Sequence, residues 1–305
     1  MEVNSPVVEW LLGEENPAVR LRTLTELLDA PRDDPRVTDA RRAVAAWLPQ
    51  AKDTAWMTQA RGLRFIYGLL ALGECGLTLA DVDVSPALSK LAREPFDGGC
   101  GGAMLTRALV MLGCADEPFV LAALAGYAEG MLPDGGFLCL HRLKAMRYLP
   151  KSCIKADMHV LLLLAELRRR GFEVEYAGRL LDYFFRRQVF YRSGNPGALV
   201  LNCEKGKRMT DNFFPAEAMR VGLPQLLYAF SALGAGNAPE LKHAWALLEN
   251  NRSADGKYLQ HGAPPNSYLP RERAGRPGKW VTLYALLAKR YAGKLRIISE
   301  TSNIM

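Results

Sequence analysis

The sequence predicts an all-α protein of about twelve helices, paired into about six hairpins and closed into an α/α toroid. Three observations carry that prediction. Apolar residues recur at helical spacing along almost the whole chain, and no alternating run of β-branched residues is long enough for a strand. Prolines and glycines punctuate this pattern where helices should start and stop. Between helices an aspartate-glycine loop recurs, as Asp97-Gly98-Gly99-Cys100, Asp134-Gly135-Gly136-Phe137 and Asp255-Gly256-Lys257-Tyr258. A helix, a short connection, a second helix and a glycine-rich return form a unit of roughly 40–50 residues, the period of helical repeat arrays.

In chain order the helices read at roughly 5–12, 17–29, 36–48, 56–73, 84–93, 101–113, 117–131, 153–170, 173–188, 216–234, 238–250 and 278–292. Pro17, Pro118 and Pro239 fall near helix starts, where a missing N–H is harmless. Gly73, Gly113, Gly171 and Gly234 stand where a left-handed C-cap closes a helix. Residues 1–293 form one domain on this reading, and 294–305 a polar tail.

A chain of 305 residues with 49% hydrophobic content can bury a large core without disulfides. Its net charge of +7 favours an acidic partner such as a phosphate, a carboxylate, nucleic acid or an anionic membrane. The opening MEVNSPVVEWLLGEE is acidic and lacks the basic and apolar regions of a signal peptide. The longest apolar run, Val160 to Ala165, is far short of the roughly 20 residues that cross a bilayer. A cytoplasmic location follows as an expectation, with Cys75, Cys100, Cys114, Cys139, Cys153 and Cys203 as thiols. The sequence has no nucleophile-elbow, P-loop or dinucleotide fingerprint, so it lends no support to a serine hydrolase, a nucleotide kinase or a Rossmann oxidoreductase.

The block LPDGGF at 132–137, the related ADGKYL at 254–259 and the closing GRPGKWVTLYALLA at 275–288 resemble the prenyltransferase and squalene oxidase repeat family. The stretch 16–44, NPAVRLRTLTELLDAPRDDPRVTDARRAV, is similar to the start of its shorter uncharacterised bacterial members. The resemblance implies the toroid fold and a central cavity for an isoprenoid or other greasy substrate, lined by loop aromatics. Phe213, Phe214, Tyr258, Trp280 and Tyr284 stand where such a lining is expected. Two features depart from the family. The DxDD acid of its alkene-protonating cyclases is missing, Asp81-Val82-Asp83-Val84 being the nearest string, and the Asp, Cys and His spacing of its zinc-dependent protein prenyltransferases is absent too.

The cysteines carry the leading chemical hypothesis. Cys100, Cys139 and Cys153 lie at equivalent points before or at helix starts, and His141 lies two residues past Cys139. Three thiolates and an imidazole suit tetrahedral zinc, the candidate cofactor. The same cysteines also suit a reactive thiol at a helix N-terminus, or plain packing. His159 fits such a site less well, and Cys75 and Cys114 read as structural.

For acid-base work the candidates are Asp97, Asp134, Asp157 and Asp211, with Asp157 one helical turn after Cys153. The loop aspartates also suit capping of their own turns. Basic residues gather in three groups before helices. They are Arg142, Lys144, Arg147, Lys151 and Lys155; then Lys205, Lys207 and Arg208; then Arg271, Arg273, Arg276 and Lys279. Arg147 and Lys279 are the residues chosen from these groups to hold an anionic substrate group.

Two functional readings stay open. The first is an enzyme of transferase, lyase or cyclase type acting on a hydrophobic, aromatic or anionic small molecule in the central cavity, assisted by zinc or cysteine. The alternative is a HEAT-like helical-repeat scaffold without catalysis, binding protein or an anionic partner. Nucleic acid is disfavoured, because the basic residues do not track a helix face.

Overall fold

Leu, Ala and Val at helical spacing, with proline repeatedly in the first turn, dictate the local structure. The computed structural model describes residues 6–93, 99–138, 152–189, 191–192, 195–199, 221–261, 269 and 272–295. Its helices are α1 (Pro6–Leu11), α2 (Pro17–Arg22), α3 (Pro35–Trp47), α4 (Pro49–Lys52), α5 (Trp56–Gln59), α6 (Gly62–Glu74) and α7 (Ser85–Leu91). They continue as α8 (Gly99–Leu112), α9 (Pro118–Glu129), α10 (Ile154–Arg169), α11 (Ala177–Phe185), α12 (Leu223–Ala232), α13 (Lys242–Asn250) and α14 (Lys279–Tyr291).

Several details differ from the sequence reading. The helix expected over 56–73 is two, because Ala60 and Arg61 turn extended and Gly62 takes φ +55° before α6 begins. The helix expected over 17–29 ends as a π-helical turn, Thr23–Leu27, and Asp29 closes it at φ +52°. The cap expected at Gly73 belongs to Gly76, φ +81°, whereas Gly113, Gly171 and Gly234 adopt the expected left-handed conformation. A short antiparallel pair, β1 (Tyr191–Arg192) with β2 (Asn195–Leu199), was not foreseen.

The mostly buried helices pack in sequence: α6 on α8, α8 on α10, α10 on α12 and α12 on α14. α14 also packs on α2 and on the π-helical turn. Helices α3, α9, α11 and α13 pack on α2, α8, α10 and α12 from outside this succession.

End-to-end contacts show that neighbours run parallel. Gly73 lies against Met111 near the last residues of α6 and α8, while Ile66 approaches Gly101 near their first. At the α14–α2 junction Lys279 pairs with Glu15 at 2.7 Å, and eleven residues later in the helix Arg290 donates to the Glu26 carbonyl at 2.9 Å.

Toward the C-terminal ends of these helices lies a buried ionic cluster. Arg22 (α2), Glu74 (α6), Arg107 (α8), Glu166 (α10), Tyr228 (α12) and Tyr284 (α14) are each under 5% exposed. Glu74 accepts from Arg107 at 2.5 Å, from Arg22 at 3.1 Å and from the Tyr284 hydroxyl. Glu166 accepts from Tyr228 at 2.8 Å, from Arg170 at 2.7 Å and from Arg169 at 3.1 Å. Arg169 and Arg22 meet again on Glu26, at 3.0 and 2.7 Å. Burial opposes ionisation of Glu166 and Glu26, but the surrounding guanidinium groups outweigh it and hold both carboxyls below their usual range. Because α2 and α14 join only through the far ends of the chain, this cluster fastens the most distant parts of the sequence.

Candidate functional site

The opposite ends of these helices hold the residues with chemistry. Two of the expected loops are described there, and they use the same wiring. In one, Leu132 N–H donates to Gly136 C=O and Gly135 N–H to Leu132 C=O, both at 2.9 Å; in the other, Ser253 donates to Lys257 at 2.8 Å and Gly256 to Ser253 at 2.9 Å. Gly135 and Gly256 take φ +83° and +84°, which is why glycine stands at both.

The next residue is pegged to the helix that follows. Phe137 N–H donates to the Asp157 carboxylate at 2.7 Å, and Tyr258 N–H to the Thr282 hydroxyl at 3.0 Å. Their carbonyls accept from Cys153 N–H at 2.7 Å and Gly278 N–H at 3.0 Å. Phe137 with Asp157, and Tyr258 with Thr282, are therefore equivalent positions of one structural repeat.

This wiring explains the aspartates. Asp134 accepts from Gly136 N–H at 3.2 Å and from the Ser152 hydroxyl at 2.6 Å, with Arg187 3.8 Å away, so its geometry is that of a turn-capping residue. Asp157 is fully buried, and burial pushes its pKa up to about 8 against the opposing pull of the Tyr183 hydroxyl and Phe137 N–H. At neutral pH it is mostly a protonated carboxyl holding a loop.

Cys100 and Cys153 stand at the starts of two helices that pack together, α8 and α10. Cys100 is in the first turn of α8 and Cys153 caps α10; both are half-buried and neither is in a disulfide. Between them stands an aromatic bridge. The Tyr127 hydroxyl donates to Gly99 C=O at 3.1 Å, its ring meets Phe137 edge-on at 5.5 Å, and Phe137 meets Tyr176 at 6.2 Å. Cys75 and Cys114 are buried, and burial raises both thiols, Cys114 to about 11, in keeping with structural roles.

His159 lies deeper in the same helix, α10. It sits two residues past Asp157, as Tyr284 sits two past Thr282, and is 2% exposed. Neither ring nitrogen has a hydrogen-bond partner among the described residues. Burial drives its pKa down to about 3, helped by Arg107 and Lys155, so the ring is neutral. No local signal marks it, because its isolation results from neighbouring helices.

Other expected contacts are already engaged. Tyr284 lies in the ionic cluster under the Arg22 guanidinium, 4.9 Å from its ring centroid, and Trp280 is 5.9 Å from the same group. Tyr258 is buried beneath Lys289, and Lys279 is paired with Glu15. Tyr258, Trp280, Tyr284 and Lys279 are thus buried and engaged in contacts that hold the fold together. The reason is tertiary: the helix face the two aromatics share is covered by an arginine from α2. Asp97, Cys139, His141, Arg147, Cys203, Asp211, Phe213, Phe214 and Tyr268 lie outside the described residues.

Among the described residues no group of three or more His, Cys, Asp or Glu is arranged to hold a metal ion. No helix of the described residues is long and apolar enough to cross a membrane. Neither a protein-family model nor a curated protein sequence matches the chain.

Proposed function

We propose that the chain is an α/α toroid whose N-terminal mouth binds a hydrophobic or aromatic small molecule and acts on it as a transferase, lyase or cyclase. The packing of α14 on α2 supports a toroid over an open HEAT-like solenoid, which would leave its terminal repeats apart. The observation that carries the functional reading is the aromatic bridge of Tyr127 and Phe137. It places the half-buried Cys100 and Cys153 at adjacent helix starts, where backbone N–H groups and the helix dipole favour a thiolate. The buried ionic cluster supports the division of labour, since it fills the other ends of the same helices.

In this reading the thiols are the reactive groups, Asp134 and Asp157 position the loop between them, and His159 is a neutral imidazole at the inner side. Zinc held by Cys100, Cys139, Cys153 and His141 belongs to the same proposal and would supply a Lewis acid or a bound thiolate. The test combines three readouts on the full chain: metal content after purification without chelator, iodoacetamide labelling of each cysteine by mass spectrometry, and thermal shift with farnesyl diphosphate and with aromatic carboxylates. Metal that is lost in a Cys100→Ala, Cys153→Ala variant, or fast labelling of those two thiols that a ligand suppresses, supports the proposal. Slow labelling, no metal and no ligand shift would leave the cysteines as packing groups and sink it.

A further inference from the structure

Away from the helix starts just described, α5 and α7 pack together and leave a surface cleft of about 400 Å³. It is lined by Thr58, Arg61, Pro86, Ser89, Lys90 and Arg93. Ser89 and Lys90 stand in the last turn of α7 and Arg93 in the turn that follows it, and all three line the cleft. Arg61 and Thr58 come from the far wall. Lys90 bridges the walls, donating to the Ala60 carbonyl at 2.5 Å while its ammonium lies 4.7 Å from the Phe65 ring centroid.

The electrostatics are one-sided. No carboxylate of the described residues lines the cleft, and neither Arg61 nor Arg93 makes an ion pair among them. Three cations converging on one cavity repel one another, and an anion relieves that repulsion. Two guanidinium forks, an ammonium and two hydroxyls match the oxygens of a phosphate or diphosphate, which arginine binds bidentately. The volume is near the lower end of small-molecule sites, roughly 300–1,000 Å³. Convergence of the cations on one point, rather than along a strip, fits a compact ligand and not a nucleic-acid strand.

We propose that this cleft binds the phosphate or diphosphate group of a small molecule. The proposal is independent of the thiol chemistry above. It is tested by calorimetric titration of the full chain with pyrophosphate and with orthophosphate, at low and high salt, with a single-stranded oligonucleotide as comparison. Pyrophosphate should bind more tightly than orthophosphate, and more weakly as salt rises.

An Arg61→Gln, Arg93→Gln variant should bind at least about tenfold more weakly. Arg42→Gln, which removes one charge outside the cleft, should bind as the parent does. Both arginines are exposed, and unchanged melting of the variants certifies their fold. No pyrophosphate binding, or equal binding by parent and double variant, overturns the proposal. So does tighter binding of the oligonucleotide that is lost in the same variant.

Discussion

Replacing Glu74 by glutamine keeps the shape of the side chain and removes the charge at the centre of the ionic cluster. Glu74 is wholly buried and serves Arg22, Arg107 and Tyr284 together. Arg22 retains Glu26, with bonds of 2.7 and 2.9 Å, and Arg107 remains within the field of Glu166. Removing one partner of a buried ion pair costs about 3–5 kcal/mol, because the remaining charge stays desolvated without its counter-charge. With one carboxylate still beside Arg22, the expected loss is near the lower bound, about 3 kcal/mol. For a domain of this size that corresponds to a fall in Tm of roughly 5 °C.

Urea denaturation of the parent, Glu74→Gln, Arg107→Gln and the double variant closes a thermodynamic cycle. The double variant should recover at least about 1 kcal/mol relative to the sum of the singles, since each single already removes the Glu74–Arg107 pair. A loss below about 1 kcal/mol in Glu74→Gln, with no coupling to Arg107, would show that water or relaxation supports the arginine and would refute this account.

The loop pegs make a second prediction: Asp157→Ala should destabilise by about 1–3 kcal/mol, because Phe137 N–H loses its acceptor. Asp157→Thr should be milder, since Thr282 performs the same task, and chemical denaturation separates the two. The pH profile follows from the shifted carboxyls. The folded protein keeps a proton on Asp157 that the unfolded chain releases, so this contribution is complete below about pH 4 and fades as pH rises toward 8. Glu26 and Glu166 act oppositely: their contribution is full above their unfolded value and disappears in acid, so the urea midpoint should pass through a maximum between these limits. In Asp157→Asn the alkaline decline should flatten while the acid decline persists. Lastly, Gly135→Ala should cost more than Gly113→Ala. Both glycines have positive φ, but an added Cβ at Gly135 meets the Arg179 carbonyl at 2.5 Å whereas none is within 4 Å at Gly113.

Helical periodicity revealed most of the elements, and the loop motif at 132–137 and 254–259 marked positions that the structure wires identically. What it missed has local causes in some places and distant ones in others. The break at Ala60–Gly62 lies inside a continuous apolar pattern, where a single glycine between good helix formers gives little warning. The pair β1–β2 is too short for alternation to register. The spacing of Trp280 and Tyr284 correctly puts them on one face, but nothing local says that Arg22, 262 residues from Tyr284, covers it. The spacing of Asp157 one turn after Cys153 says nothing of the loop whose Phe137 N–H bonds its carboxyl group. The cleft of Arg61, Lys90 and Arg93 escaped notice because its walls are some thirty residues apart, as the Lys90–Ala60 bond records, and no run of charge announces them.

The cluster that joins Arg22 to Tyr284 also constrains the order of events during synthesis. Arg22 leaves the ribosome early, while the hydroxyl and ring that cover it belong to the last helix of the described chain. Until α14 arrives, α2 can pack on α3 but lacks its other neighbour. Domains normally fold as units, and contacts that span most of a chain form slowly. Nascent chains halted before residue 279 should therefore remain sensitive to protease at α2, and protection there should appear only once α14 has emerged.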